Sequence, residues 1–592
     1  MKVCHHWHTF LSFCLPLFAL AAFGFVILTY EHEYLFRIQE QSLFLDTPLF
    51  FYQMMTFPAG LLSWFGTYLT QYLYYPWAGT LILLALWALL MWMLQRTFCI
   101  PRQWSVFTLL PVCTLAITVF HLGYWIFYLK MHGYFFASTI GTIAAVALIW
   151  LFRLLPGRYH IRTVFLILSS IIGYPLIGCY ALLATLAMGI LTRRLEDSKR
   201  ADCIIHTLLA LITIIAVPLI CYRTLYHSTS ISDIWLVGIP QFQTAEKTCT
   251  PYYAPYALLA LWLIIGSLAY HFAPLKRTKG LTLYVAQLAI FFLAGIFTYL
   301  NWYKDQNFHL ELKMYRYMEQ QNWEGMLTTM QEAVRPTRFM SVMKNLALFR
   351  LGRQGDEMYT YPSGNCPSVA PFEVRMLQTG GKLLYLNYGQ ANFCHRWCME
   401  DGVEFGWRVE YLQCMATSML MNGEKAAAEK YLNILKHTRY YQTWTPDHQE
   451  LTLMKRLMPD NNQLTSDNMM AEAFLVNHFA NRDSNDPLAQ EASLMFALQS
   501  CNSEVFLQRL SHYLELKPQS RIPIHCQEAL CIYQKTDSIP VDEAVSRNYQ
   551  MFMQKAGQYR GMSIEAVKPL MQEQFGNTFF YDYYFNNYQQ PK

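Results

Sequence analysis

Long, nearly unbroken apolar runs fill the first half of the chain and stop near residue 301; beyond it, apolar residues recur at helical spacing among polar ones. A bilayer core of about 30 Å takes roughly 20 apolar residues in helical form. The runs predict spans near 9–30, 75–95, 104–129, 134–155, 202–222, 253–273 and 281–301. Residues 163–192 are a longer run interrupted at Gly173-Tyr174-Pro175. Proline lacks a donor and disfavours helix in the residue before it. The run therefore reads as two short helices, 162–173 and 175–192, the first too short to span alone at full thickness, and the total as nine membrane helices.

Charge supports this count. Residues 1–300 carry 17 Lys+Arg and 9 Asp+Glu, and the remainder carries 28 and 31. With the N-terminus in the cytoplasm, 13 basic residues fall in inside segments and four (Arg37, Lys130, Arg223 and Lys247) fall outside, as the positive-inside rule requires. A single span over 163–192 would move the Arg193–Arg200 cluster outside. Overall charge is 14%, against about 25% for an ordinary soluble chain. This excludes disorder, a small disulfide scaffold, a single soluble domain and a nucleic-acid binder. The first run reads as a retained anchor, because Phe23 to Leu28 continue it beyond the cleavage-like Ala19-Leu20-Ala21. Residues 48–75, interrupted by Pro48, Gln53, Pro58 and Gln71, read as helices at the outer interface; an extra span would invert the downstream charge pattern.

The second half reads as helices separated by turns every 15–20 residues. Its clearest unit is 408–439, where Ala416, Met419, Ala428, Leu432 and Leu435 alternate small and large packing positions about the Asn422-Gly423 turn. This spacing resembles a tetratricopeptide repeat of about 34 residues. Weaker pairs cover 309–336, with Trp323 opening the second helix and Pro336 closing it, and 488–520. Loops are expected over Tyr361–Pro371 and Pro459–Asp467, and the aromatic tail Phe575–Tyr588 is expected to pack back on its domain. The fold class is thus all-α, with a membrane domain over 1–302 and a tetratricopeptide-like helical domain over 303–592.

No Gly-x4-Gly-Lys-Ser/Thr loop, Gly-x-Ser-x-Gly elbow or His-Glu-x-x-His occurs, which argues against an ATPase, an α/β-hydrolase and a zincin. Of 15 cysteines, seven lie in the second half; Cys394 and Cys398 are one helical turn apart, and Cys526 and Cys531 lie five apart. Neither spacing is that of a zinc ribbon, and buried packing is the expected role. Four of the nine acids in the membrane half cluster just after the first run, in Glu31-His32-Glu33-Tyr34-Leu35-Phe36-Arg37-Ile38-Gln39-Glu40 and Asp46. They read either as solvated loop charges or as an active-site carboxylate at the mouth of a membrane cavity.

An acidic motif after the first helix, an amphipathic stretch, a second helix and then paired helices with a Gly/Pro break resemble the C-type (GT-C) integral-membrane glycosyltransferases in layout. That resemblance implies a first-loop carboxylate base, here Glu31 or Glu33, and transfer of a sugar from a polyprenyl-phosphate donor on the outer face. Arg37 or Arg223 would hold the phosphate, since a guanidinium fork donates two parallel bonds. The chain departs from the pattern in having Glu-His-Glu where many members have Asp-Glu or Asp-x-Asp. Asn322-Trp323-Glu324, Tyr440-Tyr441-Gln442-Thr443-Trp444 and Ile522-Pro523-Ile524-His525-Cys526-Gln527-Glu528-Ala529-Leu530 resemble an uncharacterised family of bacterial polytopic membrane proteins. The expectation is an inner-membrane protein with a cytoplasmic N-terminus and a periplasmic second domain. It calls for no cofactor, with a divalent metal still compatible, and has a membrane lipid as partner. The alternative is a non-catalytic scaffold whose helical domain binds envelope proteins. A transporter fits less well, because charges within the spans are scarce.

Overall fold

The computed structural model describes residues 2–195, 200–226, 229–243, 248–270, 281–370, 380–459, 464–467 and 470–586. Lys199, Glu246, Lys247, Lys276, Arg277, Lys279 and Pro371, parts of the expected 253–273 span and 459–467 loop, and the end of the aromatic tail lie outside them. Helices account for the fold; among the described residues no strand forms, and one isolated bridge joins Gln243 to Thr248. The chain divides into two compact units. One comprises Met1–Lys304, Asp401–Glu410 and Asn433–Trp444; the other comprises Asp305–Glu400, Tyr411–Leu432 and Thr445–Lys592.

The first unit is built from α1 (Lys2–Tyr30), α2 (His32–Glu40), α3 (Pro48–Met55), α4 (Gly60–Thr70), α5 (Pro76–Thr97), α6 (Leu109–Phe120), α7 (Tyr134–Leu154), α8 (Tyr159–Ile177), α9 (Cys179–Leu191), α10 (Arg200–Thr224), α11 (Ala254–Leu268) and α12 (Leu281–Asn301). Seven single helical stretches among the described residues are long and apolar enough to cross a membrane, and α1 with α2 makes an eighth, bent by 75° between Tyr30 and His32. Residues 48–75 form short helices, α3 and α4 followed by a 3-10 turn over Gln71–Tyr74. At 1.5 Å per residue none of these reaches across a bilayer.

Two expected boundaries move. The break within 163–192 falls at Gly178, and Pro175 stays in the last turn of α8. Gly178 has φ +64 and ψ −139, a conformation reserved for glycine. The Cys179 N–H turns to the Val237 carbonyl (2.8 Å), and the Tyr174 hydroxyl donates to the Ile234 carbonyl (2.7 Å). The lengths are also reversed from expectation: α8 has 19 residues and α9 only 13. The expected span 104–129 instead starts as a 3-10 turn over Arg102–Thr108, continues as α6 and ends at Phe120. The chain then turns through Gly123, at φ +52, where a Cβ would strike the Tyr303 ring.

The second unit takes α13 (Gln306–Glu319), α14 (Trp323–Gln331), α15 (Arg338–Arg350), α16 (Gln354–Glu357), α17 (Lys382–Asn387), most of α18 (Ala391–Phe405), α19 (Val409–Met421) and α20 (Lys425–Leu435), then α21 (His448–Arg456), α22 (Ala471–Ala480), α23 (Pro487–Gln499), α24 (Ser503–Leu516), α25 (Ile524–Ile532), α26 (Glu543–Gln558) and α27 (Ile564–Phe575). Side-chain caps open many of them: the Asn322, Thr337, Asp447, Asp486 and Asn502 oxygens each accept a first-turn N–H. Consecutive helices pack together as α13–α14–α15, α22–α23–α24 and α25–α26. Asn422-Gly423 closes α19 as expected: Gly423 has φ +82, and the Glu424 N–H returns to the Met419 carbonyl (2.9 Å). The aromatic tail packs inward, with Phe575, Phe579, Phe580 and Tyr581 all buried.

Candidate functional site

Glu31 occupies the corner between α1 and α2. Its N–H donates to the Ile27 carbonyl (3.2 Å), and its carbonyl accepts from the Leu35 N–H (2.9 Å), so the backbone bonds survive the bend. The side chain is buried, at 2% exposure. Trp302, just past α12, donates Nε1–H to Glu31 Oε1 at 2.6 Å, and its ring stacks on Phe120 with centroids 4.6 Å apart. The Tyr34 hydroxyl, one turn later, donates to the Val119 carbonyl (2.6 Å). The corner is thus bolted to α6 and to the end of α12. Glu33 and His32 are half-buried in the first turn of α2, and the His32 ring meets Phe36 edge-on at 5.0 Å.

Arg37 follows on the same helix and is also buried. Its Nη2 donates to Glu410 Oε2 at 2.8 Å, Glu40 lies 3.6 Å away, and the guanidinium sits 5.4 Å above the Phe127 ring centroid. Around it Gln39 Oε1 accepts from the Tyr441 hydroxyl (2.7 Å), and Tyr74 stacks on Tyr440 at 4.6 Å. Residues 401–410 and 433–444 therefore complete the first unit around α2. A nook of about 20 Å³, room for roughly one water, is lined by Gln41, Ser42, His132 and Arg408 among others. Burial, then the charge on Arg408, holds the His132 imidazole below its ordinary pKa. Arg223 is elsewhere: it is exposed in the last turn of α10, which packs on α8 and α9, whereas α2 packs on α1, α5 and the Gln71–Tyr74 turn.

A slot of about 610 Å³ lies between α1, α6 and α12. Small residues open it: Ala19 and Ala22 on α1 and Ala294 and Gly295 on α12. Phe23, Val26, Leu109 and Phe291 make its walls apolar, and Tyr30, Trp302 and Lys304 stand at one end. Lys304 is exposed, donating to the Tyr299 carbonyl at 2.5 Å with Nζ 3.9 Å from the Tyr299 ring centroid. The lining contains neither Glu31 nor Glu33, but Trp302 lines the slot and holds Glu31.

This chain belongs to a family of unknown function (DUF6057). The family model matches residues 5–586, which spans both units. No curated protein and no solved structure matches the chain.

Of the residues singled out by sequence, Glu31, Glu33 and Arg37 come together on one corner, and Arg223 stands apart. Trp302 and Lys304 carried no sequence signal of their own. The pairs of small residues at 19/22 and 294/295 are the trace the slot leaves in the sequence. In the second unit, Cys394, Cys398 and Cys414 bring their sulfur atoms within 4.8 Å of one another in the interior, where sequence spacing identified only the first two as neighbours.

Proposed function

We propose that this is an inner-membrane protein that takes the chain of an anionic membrane lipid into the α1–α6–α12 slot and transfers a sugar from a polyprenyl-phosphate carrier. The slot carries this reading. Its volume of about 610 Å³ falls within the roughly 300–1,000 Å³ of small-molecule sites. Its walls suit a hydrocarbon chain, and Lys304 offers a point charge for phosphate at the same end as Trp302. Trp302 places the Glu31 carboxylate one side chain from that end. Glu31 or Glu33 acts as the base that activates the acceptor. The second unit is assigned to the periplasmic side as a tetratricopeptide-type array, supported by the helix pairs α13–α14, α19–α20 and α23–α24.

Gly295 gives the decisive variant, because a Cβ there meets nothing within 4 Å. Gly295→Phe should fill the slot without moving backbone. Lipid that co-purifies with the wild type, read by native mass spectrometry, should be lost in this variant, and transfer from a polyprenyl-phosphate sugar should fall with it. Glu31→Gln should lower transfer by about 10²–10⁴-fold, with Glu33→Gln assayed beside it and exposed Asp46→Asn as the control. Equal lipid content in wild type and Gly295→Phe would remove the slot from the reading. Unchanged transfer in a folded Glu31→Gln/Glu33→Gln double variant would remove the base.

A second reading, a non-catalytic scaffold that docks an envelope protein on its helical unit, is favoured by Arg37. Its guanidinium is already committed to Glu410 and Glu40. This reading expects slot occupancy without any transfer.

A further inference from the structure

We propose that Cys394, Cys398 and Cys414 form a buried three-thiolate site for a soft d10 metal ion. Cys394 and Cys398 lie one turn apart on α18, which puts both sulfurs on one helix face. Cys414 enters from α19. All three side chains are buried, at 0%, 0% and 4% exposure, and their sulfur atoms lie within 4.8 Å of one another. A metal–sulfur bond of about 2.3 Å sets ligand sulfurs roughly 3.8–4.0 Å apart, so small side-chain rotations close the ring about an ion.

The surroundings suit thiolates. Lys382, at 2% exposure, sits on α17 with Nζ 5.0 Å from the ring centroid of Tyr411, which lies three residues before Cys414 on α19. Positive charge near a cysteine favours the thiolate, the form that binds a metal ion. The Ser418 hydroxyl, which donates to the Cys414 carbonyl (2.8 Å), adds a polar group beside the cluster.

The ligand set defines the ion. Thiolates select soft, thiophilic metals such as copper(I) and zinc. Among the described residues no His, Asp or Glu joins the three sulfurs in this group. Structural zinc takes four ligands almost without exception, so three-coordinate copper(I) is the better fit. Binding displaces the thiol protons, and no electron transfer is involved.

The test uses the full chain in detergent, reduced and then titrated anaerobically with copper(I) against a chromophoric copper(I) chelator, and separately with zinc. One equivalent of either ion should bind per chain. X-ray absorption should report a shell of three sulfurs at about 2.3 Å, with zinc distinguished from copper by an added light-atom ligand. Cys414→Ser should weaken binding by more than the roughly 10–100-fold that loss of an outer-shell partner costs, and Lys382→Met should weaken it within that range. The Cys526→Ser/Cys531→Ser double variant should bind as wild type does. Copper(I) and zinc affinities unchanged in the Cys394→Ser/Cys398→Ser/Cys414→Ser variant would overturn the site. So would a metal shell in the wild type without three sulfurs, a measurement that stands even if the serine variants misfold.

Discussion

Lys344 illustrates what the interior of the second unit demands of a single residue. It lies on α15 at 1% exposure, and its ammonium donates to the Met358 carbonyl and the Ser363 hydroxyl, both at 2.6 Å. Neither acceptor carries charge, so desolvation dominates and lowers its pKa to about 7, with Asp582 partly opposing. Burial in turn raises the Asp582 carboxyl. An unfolded lysine keeps its ordinary value near 10.4. Between about pH 7 and 10.4 the unfolded chain therefore holds a proton that the folded chain lacks, and stability rises with pH. Below pH 7 both states hold it, and the slope vanishes. One proton sets that slope at about 1.4 kcal/mol per pH unit. Lys344→Met should flatten the rise by this amount between pH 7 and 10 in denaturant titrations of the full chain, and an unaltered slope would assign it to another group. Residue roles of this kind were only half legible in sequence. The acidic cluster after the first helix marked Glu31, but its partner Trp302 lies 271 residues away. Arg37 is likewise committed to Glu410, 373 residues along the chain. Periodicity within a window carries no information on such pairings.

Among the elements, helix existence was legible and helix ends were less so. Apolar runs of span length gave α5, α7, α10, α11 and α12, and Asn-Gly gave the turn after α19. Local sequence points to a break at Gly173-Tyr174-Pro175, where proline is the stronger local signal. Pro175 nevertheless stays inside α8, and the chain breaks three residues later at Gly178, where a tertiary contact chooses the corner. A Cβ at Gly178 would lie 2.2 Å from the Val237 carbonyl oxygen and 3.1 Å from Ala59 Cβ. Backbone conformations open only to glycine cost other residues about 1–3 kcal/mol before any collision is added. Gly178→Ala should therefore destabilise the first unit by at least that amount, read as a lower thermal midpoint in detergent. Gly295→Ala, facing open space within a helix, should leave the midpoint nearly unchanged or raise it slightly. Equal midpoints for the two variants would show that the Gly178 corner is not fixed by its backbone geometry.

For the whole molecule, connectivity and contact together set the number of membrane crossings. Arg37 and Glu410 are in direct contact within the first unit, so the chain between them must cross the membrane an even number of times. Seven candidate spans lie between these residues, from α5 to α12, and seven is odd. We predict that α9 supplies the further crossing. At 13 residues it reaches only about 20 Å, which is short of a bilayer core exposed to lipid. It does not face lipid along most of its length: nine of its residues are buried, and it packs against α7, α8, α10 and α11. A helix enclosed by its neighbours need not match the bilayer thickness, because protein surrounds its ends. Its far end delivers Arg193 and Arg194, which the positive-inside rule assigns to the cytoplasm. The charge pattern thus led to two helices in this region, although it could not foresee which of them was short. Fusions truncated after Arg102, Arg158 and Arg194 should accordingly be fluorescent with a reporter active only in the cytoplasm. Fusions after Asp46 and after the last residue should both be active with a phosphatase that works only outside. A cytoplasmic signal after Asp46 with an external one at the end, or the reverse, would place Arg37 and Glu410 on opposite faces and break their ion pair. An external signal after Arg194 would instead leave α9 as a re-entrant helix, and the even crossing would have to be found elsewhere.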